Sequence, residues 1–449
     1  MSKKVGFVSL GCPKNLLDTE VMLGHLTRSG YELTEHPERA EVLVVNTCGF
    51  IDAAKQESIE TILEMARHKE TGNCERLVVT GCLAQRYSQQ IKQELPEVDA
   101  VIGLDELHTV VDVSEREGRI VSELEADGSA AYIYDHLEPR VVTTPGHYAY
   151  VKISEGCDYP CTFCIIPKIR GRYRSRTPDS ILAEAESLAG NGVKELCLIA
   201  QDTTRYGDEI GLRHGLAGLL RQLARVDGIE WIRFLYAYPT TVDDAVLEVM
   251  ASEPEVCRYV DIPLQHASNK VLKAMKRPGT GASNLALIRR MRDAVPDVAI
   301  RSSFIVGFPG ETEADFQALL DFCAEAQLDH VGVFTYSNEH DTEAFVPIET
   351  VTEEEKARRR DALMAQQSTI SLAKNRARVG TSVRVLCEGL SDETDLLLQG
   401  RTEHQAPGID GVVLINDGAA REGDFTQVEL TEAHPYDLVG RVVTAGSSA

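Results

Sequence analysis

Three short apolar runs near the start of the chain each lead into a cysteine. GFVSL precedes Cys12, LVVNT precedes Cys48 and LVVTG precedes Cys82, with helical patterns between the runs and a fourth run, VDAVIGL, after them. Short apolar strands that alternate with helices predict a parallel sheet covered on both faces. The carboxyl ends of parallel strands share one edge, where such sheets bind ligands. The three cysteines are therefore expected to converge.

A glycine neighbours each of these cysteines, as expected where backbone approaches a bulky group closely: Gly11, Gly49 and Gly81. The N-terminus lacks a secretory pattern, so we expect a cytoplasmic protein whose clustered cysteines serve metal or redox chemistry. Buried, unreactive cysteine is the alternative, but it gives three residues no reason to share a sheet edge. No run of about 18 apolar residues exists, so no membrane span is expected.

A second cysteine set has the spacing C-x3-C-x2-C within EGCDYPCTFCIIP, namely Cys157, Cys161 and Cys164. Four thiolates would complete a [4Fe-4S] cluster, whereas three leave one iron open to a substrate or cofactor. The motif follows the strand AYVKIS, which places it at the carboxyl mouth of a predicted barrel. A structural zinc site with a distant fourth ligand is the alternative that the spacing leaves open.

The pattern of apolar runs and turn residues changes along the chain, and we predict an α/β fold class with three domains. Residues 1–115 form the parallel-sheet cluster domain, and the charged stretch 116–142 is a linker. Six further apolar runs, separated by helical patterns, predict a partial TIM-type barrel over 143–378. Short strands broken by Gly, Asp and Asn predict a small all-β barrel over 379–445.

Together the two cysteine triads resemble those of the methylthiotransferase family of radical S-adenosylmethionine (SAM) enzymes, down to Phe163 before the last cysteine of the central motif. The resemblance spans nearly the whole chain and implies a cluster domain, a radical SAM barrel and a C-terminal TRAM domain. It implies two [4Fe-4S] clusters, one on Cys12, Cys48 and Cys82 and one on Cys157, Cys161 and Cys164, with SAM on the open iron of the second.

In that family the first cluster carries the sulfur and SAM methylates it. A second SAM is cleaved to the 5′-deoxyadenosyl radical, and the product has C–SCH3 in place of C–H. The resemblance also implies an electron donor such as a flavodoxin. A non-catalytic iron–sulfur electron carrier is a further alternative, which the open position on a three-cysteine cluster argues against, because carriers generally use four protein ligands.

Five stretches are similar to the branch of the family that modifies an aspartate of ribosomal protein S12: SLGCPKNLLDTE (9–20), VVNTCGFIDAAKQES (44–58), YVKISEGCDYPCTFCIIPKIRG (150–171), DIPLQHAS (261–268) and SSFIVGFPGETE (302–313). Members that modify tRNA adenosine usually have glutamine where this chain has Pro13. The resemblance thus implies methylthio insertion at the aspartate β-carbon, and a tRNA adenosine methylthiotransferase is the alternative.

Charge bears on the same choice. The chain has a formal net charge of −24, and residues 379–443 contain four arginines against twelve acidic residues. A domain that holds tRNA should be basic, because phosphate contacts supply most non-specific affinity. An acidic domain suits a Lys/Arg-rich ribosomal protein, although an ordinary solvated surface would have the same composition.

Candidate SAM contacts stand at the ends of barrel strands. Gln201 and Gln265 follow the second and fourth strands, and Arg301 lies on the fifth. The segment FIVGFPGE resembles the family segment that passes the adenine, where Gly307 would let the backbone approach the cofactor. With Phe163 these complete the predicted cofactor contacts, although each polar group could equally be a satisfied interior residue. No residue is assigned a catalytic role.

Overall fold

The computed structural model describes residues 2–122, 124, 127–348 and 350–443, so the predicted domain end at 445 lies outside the described residues. Its first part is a sheet of six parallel strands in the order β2-β1-β3-β4-β5-β6. The strands are β1 (Lys4–Ser9), β2 (Glu32–Leu33), β3 (Val42–Thr47), β4 (Arg76–Gly81), β5 (Ala100–Val101) and β6 (Ile120–Val121). The helices are α1 (Pro13–Arg28), α2 (Asp52–Ala66), α3 (His68–Thr71), α4 (Cys82–Glu94) and α5 (Val110–Glu115).

The long runs became the central strands, and β3 and β4 are buried throughout. Two edge strands were not predicted: β2 is exposed, and β6 lies in the stretch 116–142 that was predicted as a linker. Both have two residues, which is too short for a hydrophobic period to show. Residues 123, 125 and 126 of that stretch lie outside the described residues.

The six predicted barrel strands are all present and parallel, in two three-stranded sheets ordered β11-β10-β7 and β12-β13-β14. A parallel bridge joins Ile232 of the first sheet to Val256, just before the first strand of the second sheet, as expected for a partial barrel. The six strands are β7 (Tyr148–Lys152), β10 (Glu195–Ile199), β11 (Trp231–Phe234), β12 (Tyr259–Asp261), β13 (Ala299–Val306) and β14 (His330–Thr335). Between β7 and β10, β8 (Ser154–Glu155) and β9 (Arg174–Ser175) form a separate antiparallel pair. The helices are α6 (Ile166–Arg170), α7 (Pro178–Gly190), α8 (Gly215–Leu223), α9 (Asp244–Ser252), α10 (Asn269–Ala274), α11 (Gly281–Ala294), α12 (Glu313–Ala326) and α13 (Glu353–Arg378).

Local chemistry fixes the long helix α13. The hydroxyl of Thr352 accepts a hydrogen bond from the Glu355 N–H, and three glutamates occupy the first turn. Arg376 and Arg378 occupy the last turn, so the charges at both ends favour the helix dipole. No helix within the described ranges combines the length and apolar character needed to cross a membrane.

The C-terminal part is a closed barrel of five strands in the order β15-β16-β17-β19-β18. They are β15 (Ser382–Ser391), β16 (Thr394–Arg401), β17 (Val413–Asp417), β18 (Phe425–Ala433) and β19 (Leu438–Val442). The sequence indicated four of them. It missed β19, which pairs in parallel with β17 and closes the barrel.

Arg401 of β16 enters the amino-terminal end of the barrel formed by β7 and β10–β14. The Arg401 guanidinium pairs with the Glu195 carboxylate at 2.7 Å. The same carboxylate also pairs with Arg233 at 2.8 Å. Burial would raise the pKa of Glu195, but the two arginines outweigh it and lower the pKa to about 2. Nearby, the Tyr259 hydroxyl donates to Asp410 at 2.7 Å. The C-terminal domain is thereby fixed to this end of the barrel.

A second buried ionic group, which we call the domain lock, joins α1 to the opposite end of the barrel. It comprises Asp18, Lys152, Glu155 and Arg170. Lys152 Nζ lies 2.6 Å from Asp18 and 2.7 Å from Glu155, and Arg170 lies 3.0 Å and 2.9 Å from the same two carboxylates. Two acids and two bases cancel in charge, which is what allows four ionised groups to be buried together.

Candidate active site

All six predicted ligand cysteines line one cavity of about 370 Å³ between the cluster domain and the barrel mouth. Cys12 separates β1 from α1, Cys48 follows β3, and Cys82 begins α4 directly after β4. The expected convergence at one sheet edge is therefore observed. By contrast Cys74 lies before β4 and is buried in the apolar core of the cluster domain, away from that edge.

Gly11 shows why this edge needs a residue without a side chain. Its φ is +91°, and a Cβ built on it would lie 2.9 Å from Cys48 Cβ and 3.1 Å from Cys48 Sγ. Any other residue would be strained in its backbone and would crowd the thiol. The cysteines can thus approach one another only because Gly11 is glycine.

The central motif forms a loop held by backbone hydrogen bonds on both sides. Cys157 N–H donates to Gly171 O at 3.1 Å, and Thr162 N–H donates to Met275 O at 3.1 Å. Within the loop, Cys164 N–H donates to Cys161 O at 3.1 Å. These bonds keep three thiols on the cavity wall without help from their own side chains.

Burial governs the acidity of these thiols. It raises the pKa of Cys157 to about 11 and of Cys82 and Cys164 to about 12, and it also raises the pKa of Cys48. Thiolates are the form that binds metal, so metal binding here must release protons.

Two arginines donate to sulfur from opposite sides of the cavity. Arg170 Nη2 lies 3.6 Å from Cys82 Sγ, and Arg277 Nη1 lies 3.8 Å from Cys161 Sγ. Such donors stabilise anionic sulfur. No three Cys, His, Asp or Glu side chains in the described ranges are gathered closely enough to hold a metal ion. The fit to iron–sulfur clusters therefore rests on the shared cavity, on Gly11 and on these arginines.

Three of the five predicted cofactor contacts line the cavity: Phe163, Gln201 and Gln265. Gln201 Oε1 is buried without a hydrogen-bond partner among the described residues, so it is free to accept one from a bound molecule. Gln265 has a φ of +71°, a left-handed conformation that is uncommon for a residue with a side chain. Such strained positions cluster at binding sites.

The structure does not bring Arg301 or Gly307 to this cavity. The Arg301 guanidinium pairs with Asp261 at 2.9 Å and with Asp410 of the C-terminal domain at 3.4 Å. Gly307 has a φ of +79°, and a Cβ on it would lie 2.3 Å from Lys356 Cγ, so backbone conformation and packing against the lysine stem both favour glycine there. A strand position alone could not distinguish these roles from cofactor binding.

Sequence reasoning missed the tyrosines of the wall. Tyr159 and Tyr238 stack with ring centroids 3.7 Å apart, and Tyr236 has a φ of +64°. Arg277 lies 4.2 Å from the Tyr238 ring centroid, as in a cation–π contact. The available signal was the strand-end position of YAYP, which follows β11 as the cysteines follow their strands.

Lys14, the second residue of α1, was also missed. It lines the cavity, and its Nζ lies 3.2 Å from the ring centroid of Tyr236. Burial lowers its pKa, although the neighbouring Cys12 opposes that effect. A lysine buried beside a cysteine at the cavity wall is a candidate binding group.

Comparison with protein families finds three matches, one within each of the three parts of the structure. Residues 4–103 match the uncharacterized protein family UPF0004, residues 151–323 match the radical SAM superfamily, and residues 379–443 match the TRAM domain.

Curated relatives match almost end to end. A ribosomal protein uS12 methylthiotransferase RimO from Solibacter usitatus is 51% identical over 445 residues, covering 98% of this chain and 95% of the relative. The protein of that name from Koribacter versatilis is 48% identical, covering 98% and 96%. Among solved structures, the radical SAM methyltransferase TsrM from Kitasatospora setae has a TM-score of 0.55 at 17% identity, covering 77% of each chain, which shows a shared fold.

Proposed function

The chain belongs to the family of radical SAM methylthiotransferases that includes the ribosomal protein uS12 enzymes, and we propose that it replaces a C–H hydrogen of that ribosomal protein by a methylthio group, at the β-carbon of an aspartate. One observation carries this proposal. Two separate cysteine triads line a single cavity, so two iron–sulfur centres would face the same bound substrate.

In this proposal Cys12, Cys48 and Cys82 hold one [4Fe-4S] cluster, and Cys157, Cys161 and Cys164 hold the other. Each triad leaves one iron without a protein ligand, and SAM occupies that position on the barrel cluster. When bound, the clusters and SAM supply the sulfur, the methyl group and the hydrogen-abstracting radical, with electrons from a donor such as a flavodoxin.

Other residues of the chain form the environment of the proposed clusters and of SAM. Arg170 and Arg277 offset the negative charge of the thiolates. The stacked rings of Tyr159 and Tyr238 form an apolar wall, which limits access of water to a reactive intermediate. Gln201 and Gln265 offer polar atoms to orient the cofactor. The enzyme acts in the cytoplasm, where its ribosomal substrate is.

Deleting the gene tests the proposal directly. We expect ribosomal protein S12 from cells that carry the gene to contain a peptide heavier by one methylthio group in place of hydrogen, and the same peptide from deletion cells to lack this mass. Mass spectrometry of S12 and of tRNA nucleosides from both strains measures the two outcomes side by side. Loss of a methylthioadenosine from tRNA, with S12 unchanged, would overturn the proposal in favour of the tRNA alternative.

The C-terminal domain supports a basic substrate. Three of its four arginines are already paired with carboxylates: Arg384 with Glu230, Arg401 with Glu195, and Arg441 with Glu429. The β15–β16 hairpin instead exposes an acidic tip, which we define as Asp392, Glu393 and Asp395, beside Leu396 with 89% of its surface accessible. Acidic groups around an exposed apolar side chain suit docking of a basic protein.

Reversing the acidic tip to lysine at all three positions should slow association with ribosomal protein S12 more than it speeds dissociation, because rim charges act mostly on encounter. The effect should shrink as salt rises, since the Debye length falls from about 10 Å at 0.1 M to about 3 Å at 1 M. Surface plasmon resonance at several salt concentrations measures both rates.

The matched control reverses Glu57, Glu60 and Glu64, exposed acids of α2 that give the same change in net charge. Equal slowing by the two variants would mean that only net charge matters and would contradict a docking role for the acidic tip.

A further inference from the structure

Lys14 is a buried basic residue that faces the cavity. Only 8% of its surface is exposed, yet it lines the space shared by the two cysteine triads. Its Nζ rests 3.2 Å from the ring centroid of Tyr236, in a cation–π contact that fixes its direction. Within the part of the chain that the structure describes, no hydrogen-bond acceptor or carboxylate contacts this Nζ.

The neighbouring carboxylates are already engaged elsewhere. Besides the Cys12 thiol and the Arg170 guanidinium, two carboxylates act electrostatically on Lys14, namely Glu155 and Asp261. Glu155 pairs with Arg170 at 2.9 Å, and Asp261 pairs with Arg301 at 2.9 Å. A lysine that faces a cavity and whose neighbouring carboxylates are paired elsewhere can bind an anionic ligand there.

Two other cations line the cavity near sulfur. Arg170 is already paired with Asp18 and Glu155, and position distinguishes Lys14 from Arg277. Lys14 follows Cys12 by two residues and so stands on the side of the cluster-domain triad. Arg277 stands beside Cys161 of the barrel triad. Under the proposed function, the sulfur is delivered from the side of Cys12 and SAM binds on the side of Cys161. The carbon that receives the sulfur must therefore lie between the two triads, in the cavity that Lys14 lines.

We propose that Lys14 binds the carboxylate of the substrate aspartate and so selects an acidic side chain for modification. This inference rests on the proposed function. The aspartate β-carbon is one bond from its carboxylate carbon, so a cation that holds the carboxylate also fixes the carbon to be modified. Lys14 lies in the first turn of the 16-residue helix α1, and the positive end of the helix dipole there also favours a bound carboxylate.

The test compares ribosomal protein S12 with its variant that has asparagine at the modified aspartate. Asparagine keeps the shape and removes the charge. We expect the unmodified enzyme to prefer the aspartate substrate by about 100-fold or more in kcat/KM, as for a desolvated charge pair. Lys14→Met should reduce kcat/KM for the aspartate substrate by a similar factor and bring the preference close to one. Lys14→Arg, which keeps the charge, should retain most of the preference.

Two measurements guard against a merely structural effect: iron per chain, and methylthiolated product per 5′-deoxyadenosine formed. Lys168→Met is the matched control, since Lys168 is exposed and bonds to Asp341 O at 2.8 Å outside the cavity. It should keep the full preference for aspartate.

The outcomes separate the two proposals. If the unmodified enzyme acts on neither S12 protein, the proposed function fails. If it acts on S12 but Lys14→Met keeps the preference for aspartate, the function stands and the role of Lys14 is overturned. A lower iron content or a higher KM for SAM, with the preference unchanged, would assign Lys14 to a cluster or to SAM and would equally overturn it.

Discussion

Replacing Cys12, Cys48 and Cys82 together by alanine should leave the anaerobically reconstituted protein with about four irons per chain instead of about eight and abolish methylthio transfer. Replacing Cys157, Cys161 and Cys164 should also leave about four irons, but it should additionally abolish SAM cleavage to 5′-deoxyadenosine. The reason is that only the barrel cluster holds SAM in the proposed assignment. Iron analysis and chromatography of the nucleoside products measure both effects.

Cys74, Cys323 and Cys387 provide the control. All three are buried and none lines the cavity, so their joint replacement by alanine should keep about eight irons. The assignment would be refuted by a cluster-domain triple variant that retains full iron, because the convergence of those strand ends would then hold no cluster. A zinc site in the central motif would show as zinc, with iron limited to the other triad.

The second large effect concerns the domain lock. Burial would raise the pKa of Glu155, but Arg170 and Lys152 outweigh it and hold it well below its usual range, so the carboxylate is ionised. Arg170→Met would leave Asp18 and Glu155 with a single ammonium group between them. Breaking a buried pair in this way costs about 3–5 kcal/mol. We expect a lower urea midpoint by circular dichroism and faster proteolytic separation of the cluster domain from the barrel.

Arg205→Met is the matched control for that variant. Arg205 pairs with Asp158 at 2.9 Å, but 24% and 40% of the two side chains are exposed. Losing a surface pair costs at most about 1 kcal/mol, so its urea midpoint should barely move. Similar loss of stability in both variants would show that the domain lock contributes no more than a surface ion pair.

The sequence predicted the elements that have a clear apolar pattern. The six barrel strands and the central strands of the cluster domain are long enough to show apolar runs, and parallel pairing then places Cys12, Cys48 and Cys82 at one edge. Strands β2 and β6 have two residues each and pair only because a neighbouring strand is already in place. No local pattern marks them.

The rest of the site arises where two domains meet, which a linear pattern does not show. In the sequence Lys14 is an ordinary helix residue, and only its contact with Tyr236 of the barrel shows that it faces the cavity. Arg170 likewise gains its importance from Asp18 on another domain. Conversely Arg301 stands at a strand position typical of a cofactor contact, yet its guanidinium pairs with Asp410 of the C-terminal domain. Partners distant in sequence decide each of these roles.

The insertion of Arg401 into the barrel end has a consequence for exchanging the C-terminal domain between related enzymes. A chimera that received its C-terminal domain from a relative without this arginine would leave Glu195 buried beside Arg233 alone. The chimera would also lose one of the contacts that fix the C-terminal domain to the amino-terminal end of the barrel. An exchange of the C-terminal domain therefore also changes a buried ionic group that includes residues of β10 and β11.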